Sequence, residues 1–285
     1  MSIKNYKNRI VQGDCLDILK NFPDESVNMV ITSPPYDNLR NYNGYSFPFE
    51  EIAKELYRVT QNGGTVVWVV GDATINGNET GTSFKQALFL RDIGFNLHDT
   101  MIFRKKNPIP QIYRKRYNNE FEYMFVFSKG VVKTHNAIMV DCLHAGLELN
   151  GTTYKNYSKN SQERSKMAKP VKSQKIKGNI WEYVVGKNKE DQEAKGHPAP
   201  FPCQLAEDHI LSWTNEGDLV LDPMCGSGTS CKVAKKLGRN FIGIDISEEY
   251  CKIAEDRVNK QVIEKPLKTS AHTNILDKEK VPQFD

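Results

Sequence analysis

Two short stretches of this 285-residue chain carry residue types at spacings that could do chemistry. The first runs Asp222-Pro223-Met224-Cys225-Gly226-Ser227-Gly228-Thr229, between an apolar run ending at Asp222 and a helical pattern from Thr229 to Leu237. Glycines in such a loop let the backbone approach a ligand, and the helix start that follows offers unpaired N–H donors. Asp245 closes the next apolar run, 17 residues after Gly228. In nucleotide-binding α/β units a carboxylate at that place takes both ribose hydroxyls. A dinucleotide site expects a third glycine where Cys231 stands, and Asp222 would repel a pyrophosphate. A ligand with an ammonium, a sulfonium and no phosphate suits the loop better, which favours S-adenosyl-L-methionine over NAD.

The second stretch is Ser33-Pro34-Pro35-Tyr36, directly after the apolar run VNMVIT. Consecutive prolines freeze the backbone and remove its N–H donors. The Ser33 side chain and the Pro34 carbonyl are thereby offered as rigid acceptors at the C-terminal edge of a sheet, where α/β proteins bind ligands. Tyr36 adds a flat face. Acceptors beside an aromatic plane suit a planar substrate bearing an exocyclic amine.

The elements that must position these groups alternate between strand and helix. Residues 8–14 and 27–32 read as strands with a helix over 15–22 between them. Phe49, Ile52, Ala53, Leu56 and Tyr57 make one face of a helix that stops at Gly63-Gly64, and the run TVVWVV follows as a strand. A helix over 83–93, with Thr82 as N-cap and Gly94 just past its end, leads to strands at 95–103 and 120–128. The latter sets Phe121, Tyr123, Phe125 and Phe127 on one face, as in a half-exposed strand. Helices over 203–213, 229–237 and 247–260 then alternate with strands over 218–222 and 240–246. Such alternation predicts an α/β fold with a doubly wound, mainly parallel sheet. Residues 1–129 and 196–265 read as two halves of one domain, 130–195 as an irregular insert, and 266–285 as a polar tail. Within the insert only NIWEYVV, residues 179–185, recovers an apolar rhythm.

Charge is distributed unevenly. Lys and Arg number 39 against 35 Asp and Glu, a net +4. Residues 155–177 carry eight basic side chains and one acidic, and residues 104–116 carry six and none. These blocks hold +13 and leave −9 elsewhere, so a polyanion is expected to meet the chain there. No apolar run approaches the ~18–20 residues of a membrane span, and the first residues do not resemble a secretory signal. Six scattered cysteines without a CxxC pair suggest reduced thiols in a cytoplasm. No Cys/His spacing suits zinc, so no metal is expected.

Together the motifs resemble those of the β-class S-adenosylmethionine-dependent DNA amino-methyltransferases, which modify cytosine N4 or adenine N6. The resemblance covers residues 8–128 and 195–258, roughly, with the catalytic half first. It maps Ser33, Pro34, Pro35 and Tyr36 onto the family's catalytic D/N/S-P-P-Y tetrapeptide. LDPMCGSGTS is similar to the family's cofactor loop LDPFxGSGTT, with Met224 in place of the usual Phe. This implies cofactor contacts from Asp222, Pro223, Met224, Gly226, Gly228 and Thr229, with Asp245 and Ile246 at the ribose. GDCLDIL implies that Asp14 and Cys15 meet the adenine, and HPAPFP places His197 and Phe201 next to the methionine moiety. YNNEFEYMFVFSKG resembles the segment that helps form the target-base pocket.

The resemblance implies a Rossmann-like methyltransferase fold with residues 130–195 as target-recognition region. Double-stranded DNA is the implied partner, through Arg104, Lys105, Lys106, Arg114, Lys115 and Arg116 near the flipped base. Lys155, Lys159, Arg164 and Lys166 would neutralise phosphates. A monomer or homodimer in the cytoplasm of a prokaryotic or phage-infected cell is implied, away from any membrane, with a cognate restriction endonuclease as the further partner it allows. Ser at the first catalytic position is the family's usual choice for N4-cytosine, whereas Asp is common in N6-adenine members. None of the cysteines sits in the proline-cysteine motif used for C5 methylation, so Cys203 and Cys225 read as packing residues. Three rivals stay open: an RNA amino-methyltransferase, an NAD-dependent oxidoreductase, and a DNA-binding module with a vestigial cofactor fold.

Overall fold

The computed structural model describes residues 3–35, 47–110, 115–143, 172–186 and 202–261, with two short strands at 152–154 and 164–166. In chain order the elements are β1 (Arg9–Gln12), α1 (Cys15–Leu19), β2 (Val27–Thr32), α2 (Phe49–Val59) and β3 (Thr60–Val70). A small hairpin, β4 (Thr74–Ile75) and β5 (Asn78–Glu79), precedes α3 (Thr82–Asp92), β6 (Asn96–Lys105) and β7 (Phe121–Ser128). Then come β8 (Met139–Asp141), β9 (Thr152–Tyr154), β10 (Arg164–Lys166), β11 (Gln174–Ile176) and β12 (Ile180–Tyr183). The chain continues through α4 (Cys203–Trp213), β13 (Leu219–Asp222), α5 (Thr229–Lys236), β14 (Asn240–Asp245) and α6 (Glu248–Lys260).

Eight strands form one sheet in the order β1-β14-β13-β2-β3-β7-β6-β12. Every adjacent pair is parallel except those of β7, which runs against both β3 and β6. One face packs against α1, α2 and α3, where Ile52, Leu56 and Leu90 meet Val66, Trp68, Phe125 and Phe127 in one buried cluster. The other face meets α4, where His209 Nε2 lies 3.2 Å from Met124 Sδ on β7. Covering both faces explains the near-continuous apolar runs of the central strands. It also modifies the half-exposed reading of β7. Phe121 is 43% exposed, but Phe125 and Phe127 are 4% and 0% exposed, and Met124 and Val126 on the opposite face are at 0%.

Two boundaries differ from the sequence reading. Helix α2 ends at Val59 and β3 begins at once, running through Gly63-Gly64. Gly64 is needed there because a Cβ would lie 2.7 Å from the Asn28 carbonyl on the neighbouring strand. Helix α3 starts at Thr82, not after it, and its first turn is capped from outside. Asp72, just beyond β3, accepts from the Ser83 N–H at 2.9 Å and from the Ser83 hydroxyl at 2.5 Å.

The NIWEYVV stretch forms β12, the outer strand of the main sheet, parallel to β6. Ala137–Gly178 separate as a compact unit of their own, and the rest of the chain is the other. The smaller unit contains two antiparallel pairs, β8 with β11 and β9 with β10. No helix among the described residues is long and apolar enough to cross a membrane.

Candidate active site

The strand order brings the two chemical stretches together. β13 and β2 are parallel neighbours, with Val220 opposite Met29 and Leu221 opposite Val30. The glycine loop after β13 and the proline turn after β2 therefore leave the same edge of the sheet side by side. Connections diverge at this point, since α5 lies on one face and α2 on the other. It is the switch point where doubly wound sheets bind ligands.

The cofactor loop is held from below and from the side. Cys225 N–H donates to the Ile244 carbonyl at 2.8 Å, and Gly228 N–H to the Cys225 carbonyl at 2.7 Å. Gly226 and Gly228 have φ of 49° and 74°, the left-handed region that favours glycine. At Gly228 a Cβ would also lie 2.7 Å from the Ala254 Cβ of α6. Asp245 ties the loop to β14: one carboxylate oxygen accepts from Gly226 N–H at 2.8 Å, the other from Ser247 N–H at 2.9 Å. Burial pushes its carboxyl above the ordinary range against those backbone bonds.

Asp222 sits beneath the loop and is 2% exposed. It accepts from the Ser230 hydroxyl and from Met224 N–H at 3.2 Å. Burial is the main cause that lifts its pKa to about 6, and the hydrogen bond from Ser230 pulls it back. Its carboxylate thus organises the loop, and Ser230 is a neighbour of it that the motif reading missed. The signal was a hydroxyl eight positions after Asp222, in the first turn of α5.

Gly13 N–H donates to the Asp245 carbonyl at 2.9 Å, which brings the β1–α1 turn alongside. Asp14 caps α1 by accepting from Leu16 N–H at 2.8 Å. Cys15 beside it has its thiol raised to about 12 by burial and by the Asp14 charge. Interaction with the neighbouring Cys231, and then burial, raise the Cys225 thiol well above its ordinary value. Both stay protonated and unreactive at neutral pH. Pro223 is buried, while Met224 and Ile246 are half-buried, with Met224 packed on the core. His197 and Phe201 lie outside the described residues.

At the end of β2, Pro34 is buried and Ser33 and Pro35 are half-buried; Tyr36 lies outside the described residues. Thr32, at 0% exposure, sits opposite Trp68 of β3. The turn is therefore anchored on a strand buried on both sides, which is what fixed acceptors require.

The basic candidates are distributed differently. Arg104, Lys105 and Lys106 lie at the end of β6, three strands from β2. Arg104 pairs with Glu182 at 2.8 Å and Glu120 at 3.6 Å, and Lys105 with Glu122 at 2.8 Å. Arg116 bonds Glu79 at 3.1 Å and the Gly77 carbonyl of the β4–β5 hairpin. Lys115 is exposed. Arg164 and Lys166 belong to β10 in the smaller unit, while Arg114, Lys155 and Lys159 lie outside the described residues. Among the described residues no cluster of three or more His, Cys, Asp or Glu could hold a metal ion.

A glycine loop answered by a carboxylate on the next strand, next to a proline-stiffened acceptor turn, defines a transferase that uses a nucleoside cofactor. The residues present fit S-adenosylmethionine: the carboxylates of Asp245 and Asp222 stand at this loop, which suits a cationic cofactor better than a phosphate-bearing one. Residues 27–256 match the N6/N4 methyltransferase family model, described as DNA methylase, and the chain belongs to that family. Its members act on N4 of cytosine or N6 of adenine and take their methyl group from S-adenosylmethionine. The chain is 50% identical over 248 residues to the orphan methyltransferase M.BamHII of Bacillus amyloliquefaciens, covering 86% of this chain and 93% of that one. Among solved structures it is similar to the cytosine-N4-specific PvuII DNA methyltransferase, with a TM-score of 0.64 and 21% identity over 87% of this chain and 85% of that one. It is also similar to M1.HpyAVI in complex with S-adenosylmethionine, with a TM-score of 0.56 and 25% identity over 90% of this chain and all of that one (100%).

Proposed function

We propose that this protein methylates N4 of cytosine in double-stranded DNA, using S-adenosylmethionine and acting on a base turned out of the helix. The observation that carries this reading is Ser33 at the first position of the proline turn, beside the cofactor loop. A neutral hydroxyl there accepts from the cytosine amine, as the Pro34 carbonyl does. Together they draw the nitrogen lone pair out of ring conjugation and aim it. When bound, S-adenosylmethionine supplies an electrophilic methyl on a sulfonium. Positioning and fixed dipoles carry the reaction, with no covalent enzyme intermediate. Extruding the base costs roughly a few kcal/mol. Tyr36 offsets part of this by stacking, worth about 1–3 kcal/mol.

For the cofactor, Asp245 takes the ribose hydroxyls and Asp14 the adenine, with Met224 as the apolar contact. Asp222 acts through the loop it shapes. For DNA, the exposed lysines at 172 and 175 and the block at 104–116 supply phosphate contacts. Within that block Arg104, Lys105 and Arg116 exchange a glutamate partner for a phosphate.

The test is methylation of duplex DNA in vitro, followed by digestion to nucleosides and mass analysis. N4-methylcytosine is expected. N6-methyladenine would overturn the base assignment, and transfer to RNA alone would overturn the choice of DNA.

A further inference from the structure

Strands β6 and β12 run parallel at the outer edge of the sheet, and a cleft of about 340 Å³ opens where they end. Arg104, Lys105, Lys106, Glu120 and Glu182 supply its charges. The backbone around it is fixed. Lys106 N–H donates to the Tyr183 carbonyl at 2.8 Å, which carries the pairing one residue past β6. Asn107 then closes the rim in both directions. Its Nδ2 donates to the Val185 carbonyl at 2.9 Å, and its Oδ1 accepts from Val185 N–H at 2.8 Å.

The charges converge on one residue. Glu182 takes Arg104 at 2.8 Å through one carboxylate oxygen and Lys106 at 3.9 Å through the other. Arg104 also reaches Glu120 at 3.6 Å. Arg104, Lys106 and Glu182 all stay exposed, so water screens these pairs and they exchange readily. A carboxylate held between a guanidinium and an ammonium resembles a phosphodiester in charge and in its two free oxygens. We propose that this cleft is a subsite for one backbone phosphate of the DNA, held by Arg104 and Lys106, with Glu182 the internal anion that the phosphate displaces. The sheet places it suitably. Because β7 runs against both β3 and β6, β6 points the same way as β2, and Arg104 lies on the edge that carries Ser33, three strands away. At about 4.8 Å per strand that is about 14 Å. Phosphates recur about every 3.4 Å along each DNA strand, so a duplex that brings a base to Ser33 has backbone within reach of the cleft. Glu182 thus weakens DNA binding and blunts its response to salt. The inference rests on DNA being the substrate.

The test measures affinity for a short duplex carrying the sequence the wild type modifies, by fluorescence anisotropy over a salt series. Glu182→Gln is expected to tighten binding by about fivefold. It should also steepen the fall of log K with log salt by about 0.9, the share of one neutralised phosphate. Arg104→Gln is expected to weaken binding and flatten that slope by about 0.9. The discriminating arm adds Glu182→Gln to a protein already carrying Arg104→Gln and Lys106→Gln, where its gain is expected to disappear because the two residues act through one another. An equal gain in both backgrounds would assign the effect to net charge alone and overturn the subsite, as would no gain in the first. Absence of duplex binding by the wild type would instead overturn the DNA reading beneath it.

Discussion

Ser33→Ala is expected to lower kcat by about 10²–10³-fold, the usual cost of removing one fixed hydrogen-bond group that acts in the transition state. The Kd for S-adenosylmethionine should stay within about twofold, because the loss falls on the chemical step and not on cofactor binding. The separation follows from the architecture. Ser33 follows directly on β2, whereas the glycine loop is carried by β13 and fixed by Asp245, Asp222 and Ser230. Alanine keeps the rigid Pro34-Pro35 backbone and the Pro34 carbonyl, so a residual rate should remain. Single-turnover transfer of a labelled methyl group, set beside calorimetric cofactor binding, measures both quantities. Wild-type turnover in Ser33→Ala would remove this turn from the chemistry.

Asp245→Ala should produce the converse result. It removes the acceptor of two backbone N–H groups, those of Gly226 and Ser247, and with it the anchor of the loop. Leaving such donors without a partner costs about 1–3 kcal/mol each when buried, so the melting temperature should fall by several degrees. Losing the proposed ribose contacts as well should weaken S-adenosylmethionine by about 100-fold or more. Asp245→Asn keeps one carbonyl oxygen and should fall between the two. Acidification reports on the same group. Burial holds the Asp245 carboxyl above its ordinary range, so its ionised form, and the affinity that needs it, is lost as pH falls through that raised value. Calorimetry over a pH series reads this directly. Cofactor affinity unchanged in Asp245→Ala would detach the carboxylate from the site.

Both candidate stretches are legible because each is local. A strand, a turn of fixed backbone and a helix start leave their mark within about ten consecutive residues. Their adjacency was not legible in the same way. Val220 and Met29 face each other although they lie 191 positions apart, as do their neighbours Leu219 and Asn28, and only the strand order shows it. The reversal of β7 left no trace because alternation reads the same in either direction. By composition the stretch 179–185 groups with its polar neighbours, whereas hydrogen bonding to β6 makes Ile180–Tyr183 a strand of the main sheet.

Charge was the least legible property. Arg104 finds Glu182 78 positions away, and Arg116 finds Glu79 37 positions away, so the block at 104–116 is partly neutralised by residues remote in sequence. Asp222 reads as a carboxylate facing a ligand, yet its oxygens are engaged by Met224 and Ser230 beneath the loop. Arg257 reads as one more charge on an amphipathic helix, and only packing reveals its place under the glycine loop.

The central claim is that the proline turn and the cofactor loop act as one site on DNA. Its most direct test is expression of the wild type and of Ser33→Ala in a host free of DNA methylation, followed by sequencing that reports modified bases. The account predicts N4-methylcytosine at one recurring sequence in DNA from the wild type and its near-absence with Ser33→Ala. Unmodified DNA from the wild type, or equal modification from both, would contradict it.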